Sequence, residues 1–279
     1  MNQVRIIIDS TADTMPQERA RMLVQPLTIR FGEEEYIDGV TITHPEFYHK
    51  LVTGGVLPTT SQPTPFAFQK LYQQVVDDGD TAVVIPISQR LSGTYQSATI
   101  AAADFPGQVY VVDSGSVAIT AGILAEYALG LADAGRSAEA IAAALEEKKG
   151  DLRLIAVVDT LEYLKKGGRI SAAVAFAGGL LSIKPVLTVE DGEVKMIGKA
   201  RGVKQGYASL EQLIADQPVD FGMPFLLGYT GEDDTLLRGF LDHSADIWAG
   251  HQVRSTIIGS VVGTHAGPGA YAAAYFVKK

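Results

Sequence analysis

Cysteine is absent from this chain, which excludes a disulfide framework, a thiolate nucleophile and a zinc site built on sulfur. That usage suits the cytoplasm, the compartment expected here. Histidine is scarce, with five copies, and His44, His49, His243 and His251 show none of the close spacings, such as i, i+4, that metal sites on helices need. Neither a metal nor a cofactor is therefore expected. Net positive charge is lacking as well: 23 basic residues face 32 acidic ones, a formal charge of −9, so there is no basic footprint for nucleic acid. Met1-Asn2-Gln3-Val4-Arg5 runs straight into Ile6-Ile7-Ile8-Asp9, without the apolar stretch and cleavage site of a signal peptide. No apolar run reaches the roughly 18 residues of a membrane span, so stable membrane insertion is not expected, although transient contact with a membrane remains open.

What is present reads as a folded α/β chain. At 279 residues, with 47% hydrophobic and 20% charged residues, it is long enough for two domains and for a core with an internal apolar cavity. In the first half, Val4 to Ile8, Ala82 to Ile87 and Val109 to Val112 are continuous apolar runs that end in small polar residues, the pattern of parallel strands buried on both faces. Thr64 to Asp77, Thr94 to Ala103 and Ile119 to Ala134 carry apolar residues at helical spacing and read as crossover helices. Residues 1–150 are thus expected to form a doubly wound parallel-sheet domain, with ligands bound beyond the carboxyl ends of its strands. Ser137 to Lys149 is an alanine-rich helix, and a new strand from Leu152 to Val158 opens the second domain, residues 151–279. There Asp191-Gly192 between two apolar runs is a strong signal for a two-residue hairpin, with later strands at Phe225 to Tyr229 and Ser255 to Val262. That half is expected to be α+β, with a mixed, partly antiparallel sheet.

Four clusters are candidates for chemistry. Pro58-Thr59-Thr60-Ser61-Gln62-Pro63 holds hydroxyls between two prolines ahead of a helix, a setting that suits an anion and equally a plain helix cap. Ser88-Gln89-Arg90-Leu91-Ser92-Gly93-Thr94-Tyr95 follows a buried strand. Gly93 allows close backbone approach there, and Ser92 and Thr94 offer neutral donors to a carboxylate or phosphate. No Gly-x-Ser-x-Gly elbow surrounds Ser92, so a hydrolase triad lacks local support. Thr264-His265-Ala266-Gly267-Pro268-Gly269 is expected to place His265 between a strand end and a rigid turn. Leu161 to Ser171 ends in Lys165, Lys166 and Arg169 around paired glycines, and Arg169 with Arg201 would present a fork to a phosphate or an acidic partner. Asp9, Asp13 and Asp113, each following a strand, read as structural supports.

Taken in order, Asp9 to Asp13, Thr60 to Pro63, Leu91 to Tyr95, Asp113-Ser114, Leu161 to Ser171, Ile183-Lys184-Pro185 and Gly263 to Gly269 resemble the DegV family, whose members include the fatty-acid-binding subunits of bacterial fatty-acid kinases. The resemblance spans nearly the whole chain. Ala118-Ile119-Thr120 departs from the small, polar or glycine-rich run expected after Asp113-Ser114. The resemblance implies a dihydroxyacetone-kinase-like N-terminal domain and a long-chain fatty acid, such as palmitate, stearate or oleate, lying in a tunnel between the domains. It further implies that Thr60 and Ser92 hydrogen-bond the carboxylate, with Ser61, Gly93, Thr94 and His265 around it, and that Arg169 and Arg201 lie on the side facing a kinase ATP-binding subunit. The protein itself would be a non-catalytic carrier.

Energetics agree with a carrier. Burial yields about 0.8 kcal/mol per methylene, so a tail of about fourteen offers on the order of 11 kcal/mol before ordering costs. A hydrogen bond to a charged group contributes only about 1.5–3 kcal/mol. The apolar run Ala172 to Leu181 would line the tunnel or form an ordinary core helix. The alternatives are a dihydroxyacetone-kinase-like phosphotransfer subunit, for which the chain lacks a Walker loop, and a lipid hydrolase using Ser92.

Overall fold

Ile6 and Ile8 point to one face of their strand and Ile7 to the other, and all three are fully buried. A strand apolar on both faces must be covered on both sides, and the rest of the fold supplies the two covers. The computed structural model describes residues 3–170 and 183–279. In the first half it contains β1 (Val4–Asp9), α1 (Pro16–Arg19), β2 (Leu23–Gln25), β3 (Thr28–Phe31), β4 (Glu34–Ile37), α2 (His44–Thr53), β5 (Thr59–Ser61), α3 (Pro65–Asp77), β6 (Thr81–Ile85), α4 (Thr94–Ala102), β7 (Val109–Val111), α5 (Ala118–Asp133) and α6 (Ala138–Lys148). A turn at Lys149–Asp151 leads to the second half: β8 (Leu152–Val157), α7 (Glu162–Gly167), β9 (Ile183–Glu190), β10 (Glu193–Arg201), α8 (Gly202–Asp216), β11 (Leu226–Tyr229), α9 (Thr235–His243), α10 (Ala245–Trp248), β12 (Ser255–Ile257), α11 (Ser260–Ala266) and β13 (Tyr271–Phe276).

The first sheet is four-stranded and parallel, in the order β2-β1-β6-β7. The chain leaves β1 toward one edge and later returns to build toward the other, so β1 and β6 flank a topological switch point, where loops splay apart and ligands bind. Phe68, Tyr72 and Ala98 of α3 and α4 cover the face holding Ile7. α5 and α6 cover the face holding Ile6 and Ile8. The second sheet is six-stranded and mixed, in the order β10-β9-β8-β13-β11-β12, antiparallel except where β11 meets β12. Leu154, Ala272 and Leu226 on one of its faces share a core with α5. Ile155, Tyr271 and Leu227 on the other pack against α8 and α9. α5 therefore lies between the sheets, which explains why it is apolar all round rather than amphipathic. Its Glu126 is held by Arg254, whose Nη2 donates to Oε2 at 2.8 Å.

The hairpin joining β9 to β10 turns at Asp191 (φ 53°) and Gly192 (φ 76°), the double left-handed geometry that Asp-Gly favours. Two expectations need correction, the strand at Ser255 to Val262 and the placing of His265 after a strand end, since His265 lies on the last turn of α11. The stretch Ser255 to Val262 is not one strand: β12 ends at Ile257, and α11 begins after Gly259. A short apolar run carries no period that separates strand from helix, and here Val261, Val262, His265 and Ala266 recur at helical spacing. The small sheet β4-β3-β5, with α2 packed on it, was not foreseen. Its strands are three or four residues long, and β3 alternates buried with exposed side chains. The run Ala172 to Leu181 lies outside the described residues. Among the described residues no helix is long and apolar enough to cross a membrane.

Candidate functional site

Leu154 and Ala156 project from alternate positions of β8 with Val158 just beyond its end, Leu187 and Val189 from β9, and Ala270 and Ala272 from the β13 segment, into a cavity facing the N-terminal half. Val117 and Ala118 at the start of α5, Ile87 and Leu91 beyond β6, and Val261 and Val262 of α11 close the other side. The row from Leu154 to Val158 spans about 13 Å at strand spacing. The cavity volume is about 120 Å³, and the free space between its lining atoms, open mouth included, is about 940 Å³.

Polar groups gather at one end. Thr60 is the middle residue of β5, and its Oγ1 lies 3.1 Å from His265 Nε2 on the last turn of α11. One small core fixes both elements: Ile29 of β3, Phe47 and Tyr48 of α2, and Val261 of α11 pack together. Ser92 lines the cavity as well, with its Oγ 2.9 Å from Thr94 Oγ1 and accepting from the Thr94 N–H at 3.3 Å. Arg169 lines both the cavity and an adjoining recess of about 230 Å³ that also holds Pro58, Tyr163 and Lys166. Its guanidinium donates to the carbonyls of Gly167 and Leu91 at 2.6 and 3.3 Å, which ties α7 to the Ser92 loop.

Two glycines permit these contacts. A Cβ on Gly167 would stand 2.1 Å from His265 Nδ1, and one on Gly93 would stand 2.1 Å from Gln62 Oε1. Gly168 closes α7 in the left-handed conformation at φ 68°, and the Arg169 N–H returns to the Leu164 carbonyl.

Burial and the Arg169 guanidinium hold the His265 imidazole well below its ordinary range, at about 4, so it is neutral at pH 7. Its Nδ1 is buried with no partner among the described residues. The mouth therefore offers neutral hydrogen-bonding groups from Thr60, Ser92 and His265, with the Arg169 guanidinium beside them. Among the described residues the Ser92 hydroxyl is engaged with Thr94 and with no histidine.

The three carboxylates read as supports are structural in geometry. Asp9 Oδ1 accepts from the Thr11 N–H and hydroxyl and Oδ2 from the Ile87 N–H at 2.7 Å, joining the ends of β1 and β6 at the switch point. Asp13 Oδ1 accepts from the Gly259 N–H at 2.9 Å at the start of α11, and Asp113 accepts from the Gln89 backbone and side chain. Of the sequence candidates, Thr60, Ser92, His265 and Arg169 line the cavity. Ser61, Gly93 and Thr94 adjoin it. The Ser61 side chain is exposed on the other face of β5 from Thr60, Gly93 caps α4, and Thr94 is buried behind Ser92. Arg201 stands exposed at the end of β10, paired with Ile183, and does not join Arg169 at the mouth. Sequence reasoning missed Leu164, Val194 and Thr230, which also line the cavity. Leu164 lies within the Leu161 to Ser171 motif but on its apolar side, Val194 and Thr230 belong to no motif, and only the tertiary fold brings the three together.

The chain matches, over residues 3–278, the family model described as an uncharacterised protein of the DegV family. A DegV domain-containing protein of Deinococcus radiodurans is 37% identical over 277 residues, 96% of each chain. Among solved structures, a DegV family protein from Thermus thermophilus, described as binding fatty acid, is 33% identical and superposes with a TM-score of 0.87 over 98% of this chain and 99% of its own. DegV of Bacillus subtilis, described as a fatty acid binding protein, is 28% identical with a TM-score of 0.86 over 100% of both chains. Family model, relatives and fold agree along the whole length: this chain is a member of the DegV family.

Proposed function

We propose that this protein is a fatty-acid carrier, with residues 1–150 supplying the carboxylate-binding loops and residues 151–279 the floor of the tail chamber. The observation that carries the reading is that the walls are mainly aliphatic and Thr60, Ser92 and His265 gather beside Arg169, while the other lining hydroxyls, of Thr11, Thr188 and Thr230, are engaged with Asp9, the Leu154 carbonyl and the Ala270 N–H. A long alkyl tail fits the walls, and its carboxylate meets Thr60, Ser92 and His265, while Ser61, Gly93 and Thr94 brace those loops. Tail burial supplies affinity and the mouth supplies orientation. The cavity volume of about 120 Å³ is near that of an apolar cavity of roughly 150 Å³ that takes benzene, so a long tail enters by spreading the aliphatic walls. Likeness to the Thermus and Bacillus proteins, both described as binding fatty acid, supports the ligand class.

The finer reading is that the bound carboxylate is presented to the ATP-binding subunit of a fatty-acid kinase in the cytoplasm, and that this chain performs no turnover itself. Arg169 at the mouth and the exposed Arg201 would face that partner. The test uses oleate labelled at its carboxyl carbon. Bound to the protein, its carboxyl resonance moves and stops titrating with bulk pH, and Ser92→Ala restores ordinary titration without loss of tail binding. With ATP and the kinase subunit added, acyl phosphate forms, and Arg201→Ala abolishes that formation while sparing oleate binding. A carboxyl that titrates as free acid in the complex, or oleate binding lost with Arg201→Ala, contradicts the reading.

A further inference from the structure

The tail chamber adjoins a second space that none of the mouth residues Thr60, Ser92, Arg169 and His265 lines. Leu154, Thr188 and Val189 line the chamber on one side and a groove of about 660 Å³ on the other. The first turn of α5 is shared in the same manner, Val117 and Ala118 lining the chamber and Ser116 and Thr120 the groove. Beyond these shared residues the walls become mixed, with Ser114, Ser116, Thr120 and Lys149 among the apolar side chains. The Thr120 hydroxyl is distinctive there: it is 1% exposed, and Oγ1 has no hydrogen-bond partner among the described residues. A threonine in the first turn of a helix has carbonyls within reach, and a buried hydroxyl left unpaired is costly.

Charge narrows what the groove accepts. Its cations are Lys149, paired with Glu146 and donating to the Asp113 carbonyl, and Arg153, donating to Gln217 and to the Gly150 and Leu152 carbonyls. Its anions are Glu190 and Asp191, both on Lys195, and Asp216, which accepts from Gln212. Arg153 has only neutral partners among the described residues, and neither cation hydrogen-bonds the Thr120 hydroxyl. The unsatisfied group is a neutral hydroxyl, and its complement is another.

We propose that the chamber is a through-passage and that Thr120 forms a subsite for a hydroxyl at the distal end of the acyl chain, so that the ligand class includes long-chain ω-hydroxy acids. This rests on the fatty-acid reading above. In a blind apolar tunnel a terminal hydroxyl loses its hydration without replacement, which weakens binding about ten- to a hundredfold. In a passage ending at Thr120 it gains a partner.

The experiment compares hexadecanoic acid with 16-hydroxyhexadecanoic acid in displacing a fluorescent fatty acid from the full chain. The expected result is that the hydroxy acid binds within about threefold of its parent, that Thr120→Val weakens it roughly tenfold while leaving hexadecanoic acid unchanged, and that Thr120→Ser restores it. Thr120→Val removes an unpaired buried hydroxyl, so it should melt no lower than the unmodified protein. A hydroxy acid bound ten- to a hundredfold more weakly than its parent by the unmodified protein overturns the subsite, as does one bound equally well by Thr120→Val. Failure of hexadecanoic acid itself to bind overturns the carrier reading, and the subsite with it.

Discussion

His265 Nε2 lies 3.1 Å from Thr60 Oγ1 across 205 residues of sequence, joining the last turn of α11 to the middle of β5. The contact brings a histidine held neutral by burial against a hydroxyl at the rim of an apolar cavity. A neutral pair can donate to a carboxylate and turn between tautomers without moving net charge into the site.

Thr60→Val removes one donor and keeps the shape of β5. Loss of a hydrogen bond to a charged group predicts oleate binding weaker by roughly tenfold or more, with the methyl ester of oleate unaffected because it carries no charge at that end. Displacement titrations with both ligands check this, and equal weakening of the two would place Thr60 in the tail's environment instead.

Gly167→Ala places a methyl group where His265 Nδ1 now lies, 2.1 Å from the new carbon. Backbone on one side and a packed ring on the other leave little room to relax, so the imidazole must turn out of the mouth. Oleate affinity should fall at least as far as in Thr60→Val, whereas Gly168→Asn, at a left-handed position open to solvent, should leave it nearly unchanged.

Asp13 predicts a stability profile of definite sign. Burial raises its folded pKa to about 8 from 3.8, with Asp38 and Asp9 adding to the rise and the Gly259 N–H and Arg19 opposing it. The folded protein therefore holds a proton that the unfolded chain releases between those values. The stability this contributes is complete below about pH 3.8 and is lost as pH climbs through about 8. Asp13→Asn keeps the acceptor for Gly259 and cannot ionise, so its melting temperature relative to the unmodified protein should be higher at pH 8.5 than at pH 5.5. Melts at the two pH values check it, and a constant difference contradicts it.

Arg254 joins three segments, reaching Glu126 of α5, Glu18 of α1 and the Phe225 carbonyl. Glu126 is only 9% exposed, and burial already lifts its pKa. Arg254→Met strands that carboxylate and should cost on the order of 3 kcal/mol, and Glu126→Leu in the same chain should recover most of it. Denaturant unfolding of the single and double variants measures both.

The parallel sheet and the hairpin were legible because their signals are local: an apolar run on both faces around Ile7, and Asp191-Gly192 between alternating strands. Thr60 and Ser92 were legible as donors near helix starts. Their convergence with His265 was not, since it depends on how β5 and α11 pack over Phe47 and Tyr48. Reading Ser255 to Val262 as one strand failed because Gly259 breaks an apolar run too short to carry a period. The small sheet of β3, β4 and β5 escaped because strands of three or four residues are too short for alternation to stand out from the surrounding sequence. Arg201 and Arg169 carry the same charge and both lie near glycines, yet β10 holds Arg201 apart from the mouth, a matter of strand register that composition does not encode.

The most direct test of the carrier account is native mass spectrometry of the protein purified from cells, repeated after delipidation and incubation with palmitate, stearate and oleate. The account predicts a mass increment of one long-chain fatty acid per chain, lost on delipidation and regained with the added acid. A protein that remains at its bare mass throughout, with its fold intact, would contradict it.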